Sequence, residues 1–141
     1  RAALAVWRNW GVDQVLKQAY SNGVLMCGMS AGAMCWFEQC LTDSYWQASY
    51  QPLRGMGLLA GACGVHHQTN AARQERMEAA IQARAISSAI AIDDFAAVLF
   101  ESGRIRGAVH WKEGAHARLL SGHGQTVETI TLSSEFLDGG E

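Results

Sequence analysis

The apolar positions change rhythm several times along the chain, and each change predicts an element. Between residues 2 and 20 they fall at Leu4, Trp7, Val12, Val15, Leu16 and Ala19, close to the i, i+3, i+4 spacing of one apolar helix face. Gly11 interrupts this stripe, so two helical pieces are expected, joined near Trp10-Gly11. Ser21-Asn22-Gly23 stops the second piece, with Gly23 as the left-handed residue that closes a helix without a Cβ clash. The helical rhythm then gives way to Val24-Leu25-Met26-Cys27, a short continuous apolar run. Such a run reads as a strand buried on both faces of a parallel sheet. Helix, tight turn and buried strand in succession predict an α/β domain.

Further along, residues 31–39 read as helix, small residues first and Trp36 and Phe37 later. Residues 41–64 break into glycine-rich loop and short extended pieces around Pro52, the sole proline. Residues 71–85 are strong helix formers with interleaved charge. Strands are expected over 88–92 and 96–100, on either side of an Asp93-Asp94 turn, and again over 105–111, 117–120 and 127–132. Neither a repeat nor a linker divides the chain, so residues 1–141 are read as one domain.

Composition narrows the function classes. A hydrophobic fraction of 49% with 17% charged residues describes a globular protein, not a disordered one. The net charge of −2, with no block of like charges, argues against nucleic acid or an anionic membrane surface as partner. Apolar runs stay far below the roughly 18 residues of a membrane span, and no signal peptide is visible. Cys27, Cys35, Cys40 and Cys63 fit no zinc spacing. They are read as reduced thiols of a cytoplasmic protein, with Cys27 a small buried hydrophobe. No metal or cofactor is expected. The chain opens on Arg1 in a helical pattern, which reads as a removed segment or a partial sequence.

The chemistry starts at Gly28-Met29-Ser30-Ala31-Gly32. A G-x-S-x-G turn between a buried strand and a helix is the arrangement of a nucleophile elbow. Its backbone is strained, so side chains near the serine must be nearly absent, and Ala31, Gly32 and Ala33 satisfy this. Ser30 would then project above the sheet edge, beside backbone amides able to stabilise an oxyanion. The bland alternative is a serine N-cap on an ordinary turn.

A serine needs a base, and the base needs an orienting carboxylate. Of the five histidines, His66 and His67 follow the apolar, glycine-rich approach 58–65, where a sheet delivers residues to its edge. His110 lies in an alternating strand pattern and His123 in a Ser-Gly-His-Gly turn, so both read as surface residues. Asp93 and Asp94 follow the apolar run Ile90-Ala91-Ile92. One of them could face the site while the other caps the turn, or both could simply make a turn.

The run 25–38 (Leu-Met-Cys-Gly-Met-Ser-Ala-Gly-Ala-Met-Cys-Trp-Phe-Glu), followed by Leu41-Thr42-Asp43-Ser44, resembles the peptidase E (aspartyl dipeptidase) family of serine peptidases, related to cyanophycinases. Residues 5–13 and 91–98 match further family segments, so the similarity runs from about residue 1 to about residue 110. The resemblance implies a three-layer α/β/α fold with a mostly parallel sheet, like the class I glutamine amidotransferases and flavodoxin. This chain would be the C-terminal portion of such a domain, without its N-terminal strands. The resemblance further implies Ser30 as nucleophile, His66 as base, Asp94 as third member and the Ala31 amide as one oxyanion donor. Asp43 matches an acidic position near the substrate. Arg73, or Arg76, matches a basic position facing an acidic substrate side chain. The implied activity is hydrolysis of small peptides, dipeptides with N-terminal aspartate above all.

This chain departs from the family in having Val65 before the histidine, where proline is usual, and His67-Gln68 after it, where an aromatic residue and aspartate are usual. Those changes bear on substrate preference. The upstream glycine-rich turn that gives the second oxyanion donor is also absent from the sequence. Two other readings are kept: an esterase of the α/β-hydrolase type using Ser30, Asp94 and His116, and a non-catalytic domain that only binds. The expected partner is a small peptide. A homo-oligomer is the further expectation, with Trp7 or Trp111 at its interface.

Overall fold

The computed structural model describes residues 1–45 and 50–138. The two expected N-terminal helices are α1 (Ala2–Asn9) and α2 (Val12–Ser21). Gly11 separates them at φ 71°, a conformation that side chains resist. Then follow α3 (Ala31–Met34), β1 (Phe37–Thr42), β2 (Gln51–Arg54), β3 (Leu59–Val65), α4 (Ala71–Gln82) and β4 (Ser88–Ile92). The chain continues through β5 (Ala96–Glu101), β6 (Arg104–His110), β7 (Ala117–His123), β8 (Thr126–Thr131) and β9 (Ser134–Phe136).

These elements make an α/β fold around a six-stranded sheet of order β2-β1-β3-β4-β7-β8. Its parallel character is confined to the centre, where β3 runs parallel to both β1 and β4. The flanking pairs β1–β2, β4–β7 and β7–β8 are antiparallel. A second sheet, β5-β6-β9, packs Val98 and Phe100 against the first.

Strand alternation sorts the core into two layers. Leu41, Ala62, Ala89, Ala91 and Leu120 face α4, whose Met77 and Ile81 cover them. Cys40, Cys63, Val65 and Ile90 face the other way, under Met34, Phe37 and the second sheet. Small residues on the first face let α4 come close. A Cβ added at Gly64 would lie 2.8 Å from Met77 Cε, so Met77 fills the space that this glycine leaves. Trp7 of α1 is half-buried within the chain itself, against the cluster of Leu4, Cys35 and Met56.

Two local expectations need correcting. Residues 24–27 form no strand: Val24 is 53% and Leu25 79% exposed, and Cys27 is exposed rather than buried. A strand is held by its neighbours, and both sides of β3 are already taken by β1 and β4. Second, the helix expected over 31–39 stops at Met34, because Phe37, Cys40 and Leu41 are buried as strand residues of β1. The short extended pieces expected over 41–64 around Pro52 are β2 and most of β3, the latter being the glycine-rich approach that leads to His66. Residues 46–49 of that stretch lie outside the described residues. The short strand β9 was not expected at all. Among the described residues, no helix is long and apolar enough to cross a membrane.

Met77 is fully buried between α4 and the sheet. Met77→Ala is expected to lower unfolding free energy by about 2–5 kcal/mol, read from urea denaturation midpoints. A loss below about 1 kcal/mol would mean that the α4 face collapses to fill the space, contrary to this packing.

Candidate active site

The turn before α3 has the strain expected of an elbow. Ser30 sits at φ 52°, ψ −122°, a region that costs a non-glycine residue on the order of 1–3 kcal/mol. Gly28 makes this possible, because a Cβ there would fall on the Gly32 carbonyl. The turn closes through Gly32 N–H donating to Met29 O at 2.8 Å, and Ala33 and Met34 N–H donating to Ser30 O at 3.0 and 3.1 Å. No backbone acceptor takes the Ala31 amide among the described residues.

His66 follows the last residue of β3, and Asp94 lies two beyond the last residue of β4. The parallel register pairs Val65 with Ile92, and His67 N–H donates to Ile92 O at 3.2 Å. Plain alternation would send His66 to the face opposite Val65, toward α4. Instead His66 adopts φ 55°, and this left-handed residue reverses the alternation. Its ring ends on the same side as α3, with Nε2 2.9 Å from Ser30 Oγ. His66 Nδ1 and Asp94 Oδ1 are directly bonded. With Nδ1–H donating to the carboxylate, the Nε2 lone pair faces the serine hydroxyl.

Asp94 has a second donor. Thr69 Oγ1–H donates to Asp94 Oδ2 at 2.8 Å. The hydrogen bonds from His66 and then Thr69 hold the Asp94 carboxyl below its ordinary value, against a smaller opposing effect of burial. Both hydrogen bonds favour the ionised form of Asp94.

The neighbouring pair goes to the opposite side. Asp93 is buried, accepting 2.8 Å bonds from Arg118 Nη1 at both oxygens and a 2.9 Å bond from His116 N–H. His67 is buried beside it, and burial, then the charge of Arg118, pushes its imidazole below 6.5. The Asp-Asp turn thus divides its two acids between a structural ion pair and the serine-histidine line. His110 is half-buried, 2.9 Å from Ser134 Oγ, while His123 is exposed, 3.2 Å from Glu128. The His116 ring faces His110, with centroids 6.3 Å apart.

Of the two arginines singled out on α4, Arg76 is exposed and Arg73 is buried with Met77 and Ile81. Arg73 Nη1 donates to Val65 O at 3.0 Å, its guanidinium lies 4.8 Å over the Tyr50 ring, and Nη2 is 3.9 Å from Asp43 Oδ2. Its buried Nε has no hydrogen-bond partner among the described residues. Thr69, Asn70 and Tyr50 were not singled out in the sequence. Asn70 caps α4 by accepting from Arg73 N–H at 3.0 Å and donates to Tyr50 Oη at 2.7 Å. The polar Thr-Asn pair directly before a run of helix formers was the available signal. The exposed rings of Phe95 and Trp111 pack edge to face at 6.4 Å beside the Asp94 turn. Among the described residues, no three His, Cys, Asp or Glu side chains are grouped to hold a metal.

The profile of Peptidase family S51 matches residues 2–107. An uncharacterized peptidase of Bacillus subtilis (strain 168), YgaJ, is 32% identical over 137 residues, which cover 97% of this chain and 59% of that protein. The chain therefore spans well under two thirds of the length of the curated relative it matches.

The two glycines of the turn separate backbone strain from helix propensity. Gly28→Ala is expected to lower stability by about 1–3 kcal/mol, because the added methyl meets backbone. Gly32→Ala, whose Cβ would meet nothing within 4 Å, is expected to be neutral or stabilising. Equal melting temperatures for the two variants would contradict this reading of the turn.

Proposed function

The chain belongs to peptidase family S51, and from that premise we propose that it works as a serine-type peptidase on small peptides, dipeptides with N-terminal aspartate in particular. The observation that carries the reading is the continuous line Ser30 Oγ, His66 Nε2, His66 Nδ1, Asp94 Oδ1. In this mechanism His66 takes the hydroxyl proton as Ser30 Oγ attacks the scissile carbonyl. The imidazolium, stabilised by the Asp94 carboxylate, then protonates the leaving amine. Water, deprotonated in turn by His66, cleaves the acyl-enzyme and regenerates Ser30. The unengaged Ala31 amide is one donor for the oxyanion.

Asp43 and Arg73 are the proposed recognition pair, the first for the substrate amine and the second for the aspartate side chain. Their 3.9 Å separation is long for a direct hydrogen bond, so the two charges are near each other without being tightly paired. Arg73 is also near enough to Asp94 to stabilise its charge. The four free cysteines fit a reducing compartment, and a cytoplasmic location is part of the proposal. The esterase reading lacks support from His116, whose ring faces His110. A binding-only domain is favoured by one observation, the exposed and unpaired 24–27 run leading into the elbow.

A fluorophosphonate probe separates these readings. Labelling is expected on Ser30 and lost in Ser30→Ala. His66→Ala should slow it at least about a thousandfold, whereas His116→Ala leaves it near the wild-type rate. An unlabelled folded protein supports the binding-only reading, and loss through His116→Ala alone supports the esterase. For specificity, Arg73→Gln, which also removes the bond to Val65 O, is expected to lower kcat/KM for both Asp-Ala and Ala-Ala, with the loss on Asp-Ala larger by about tenfold or more. Equal wild-type rates on Asp-Ala, Ala-Ala and β-Asp-Ala would remove the recognition role of Arg73 and Asp43.

A further inference from the structure

Asp94 presents a problem of orientation. Its side chain is one-third exposed, and rotation about the bond to an sp² carboxyl is soft. Left alone, the carboxylate could turn either oxygen, or neither, toward His66 Nδ1. Thr69 removes that freedom. Its hydroxyl proton can serve one acceptor, and of its two neighbours Asp94 Oδ2 is at 2.8 Å while His66 O is at 3.4 Å. The shorter contact, to an ionised acceptor, is the stronger one. With Oδ2 held by Thr69, Oδ1 is the oxygen left for Nδ1.

Thr69 itself is well placed to act as a fixed point. It lies three residues after His66 and directly before Asn70, whose side chain is committed to Arg73 N–H and to Tyr50. The hydroxyl is thus carried by backbone anchored at both ends, on one side by the β3–β4 register and on the other by the α4 cap.

We propose that Thr69 is a positioning residue that locks the Asp94 carboxylate with Oδ1 on His66, making the working line Thr69-Asp94-His66-Ser30. This inference rests on the serine-histidine-aspartate reading above. Thr69 touches no reacting atom; it acts through Asp94.

The test is the rate of fluorophosphonate labelling of the full chain. Thr69→Val, which keeps the shape but not the hydroxyl, is expected to slow labelling by about tenfold, the effect of losing one hydrogen bond to a charged group. Thr69→Ser, which keeps the hydroxyl, restores most of the rate. In an Asp94→Ala background, Thr69→Val should change nothing further, because its partner is gone. A Thr69→Val rate equal to wild type overturns the proposal, as does the same fractional loss with and without Asp94. Thr69→Ala carries the same comparison should the valine variant fail to fold, which its melting curve reports. If wild type labels and Asp94→Ala slows it while Thr69→Val does not, the Thr69 role alone falls. If wild type does not label at all, the underlying reading falls and takes this proposal with it.

Discussion

The site depends on one backbone reversal, the left-handed residue at His66. Up to Val65 the chain is a central parallel strand, with side chains alternating between the two core layers under the constraint of the β3–β4 register. At His66 the sign of φ changes and the imidazole turns to the side where Ser30 waits. Without that change His66 would face α4 and the Asp93–Arg118 pair. Strand pairing brings the segments together, and the reversal decides which side chains meet.

Several contacts hold the reversal in place. Arg73 grips the carbonyl just before it, Gln74 the carbonyl of His67 just after it, and the His67 amide remains on β4. Both gripping residues project from the first turns of α4, the helix whose Met77 and Ile81 are sealed into the core. Strain at the loop is therefore tied to burial in the sheet. Ser30, His66 and Phe95 are three of the non-glycine residues with positive φ, and all three belong to or adjoin the serine-histidine-aspartate line. Conformations of this kind persist only where the surroundings over-determine them.

How much of this was legible varies with the range of the interaction. The two N-terminal helices, their break at Gly11, helix α4 and the hairpin of β5 and β6 follow from local rhythm, and they appear where that rhythm puts them. The elbow was legible because strain demands glycine at position 28, and glycine leaves a mark in sequence. The division of His66 from His67 and of Asp93 from Asp94 was not legible from local pattern, since it turns on register and on one backbone angle; only the family resemblance singled out His66 and Asp94. Strand β3 was legible only as a glycine-rich approach to His66, because the small residues that admit Met77 from a helix further along carry a weak apolar signal. Residues 24–27 misled for the converse reason. Their apolar character announces burial, but burial needs a neighbour that local sequence does not specify.

The side-by-side acids at the end of β4 also set how this fold can drift. The connection between α4 and β4 can lengthen or shorten without disturbing which residues meet, because it lies beyond the contacts that the start of α4 makes with the His66 loop. A single-residue gap inside β3 or β4 is different in kind. It inverts the phase: a gap in β4 takes Asp94 off the imidazole and Asp93 off Arg118, and one in β3 exchanges the faces of His66 and His67. Divergence in this lineage should therefore collect its insertions between strands, and change length within them, if at all, by even steps.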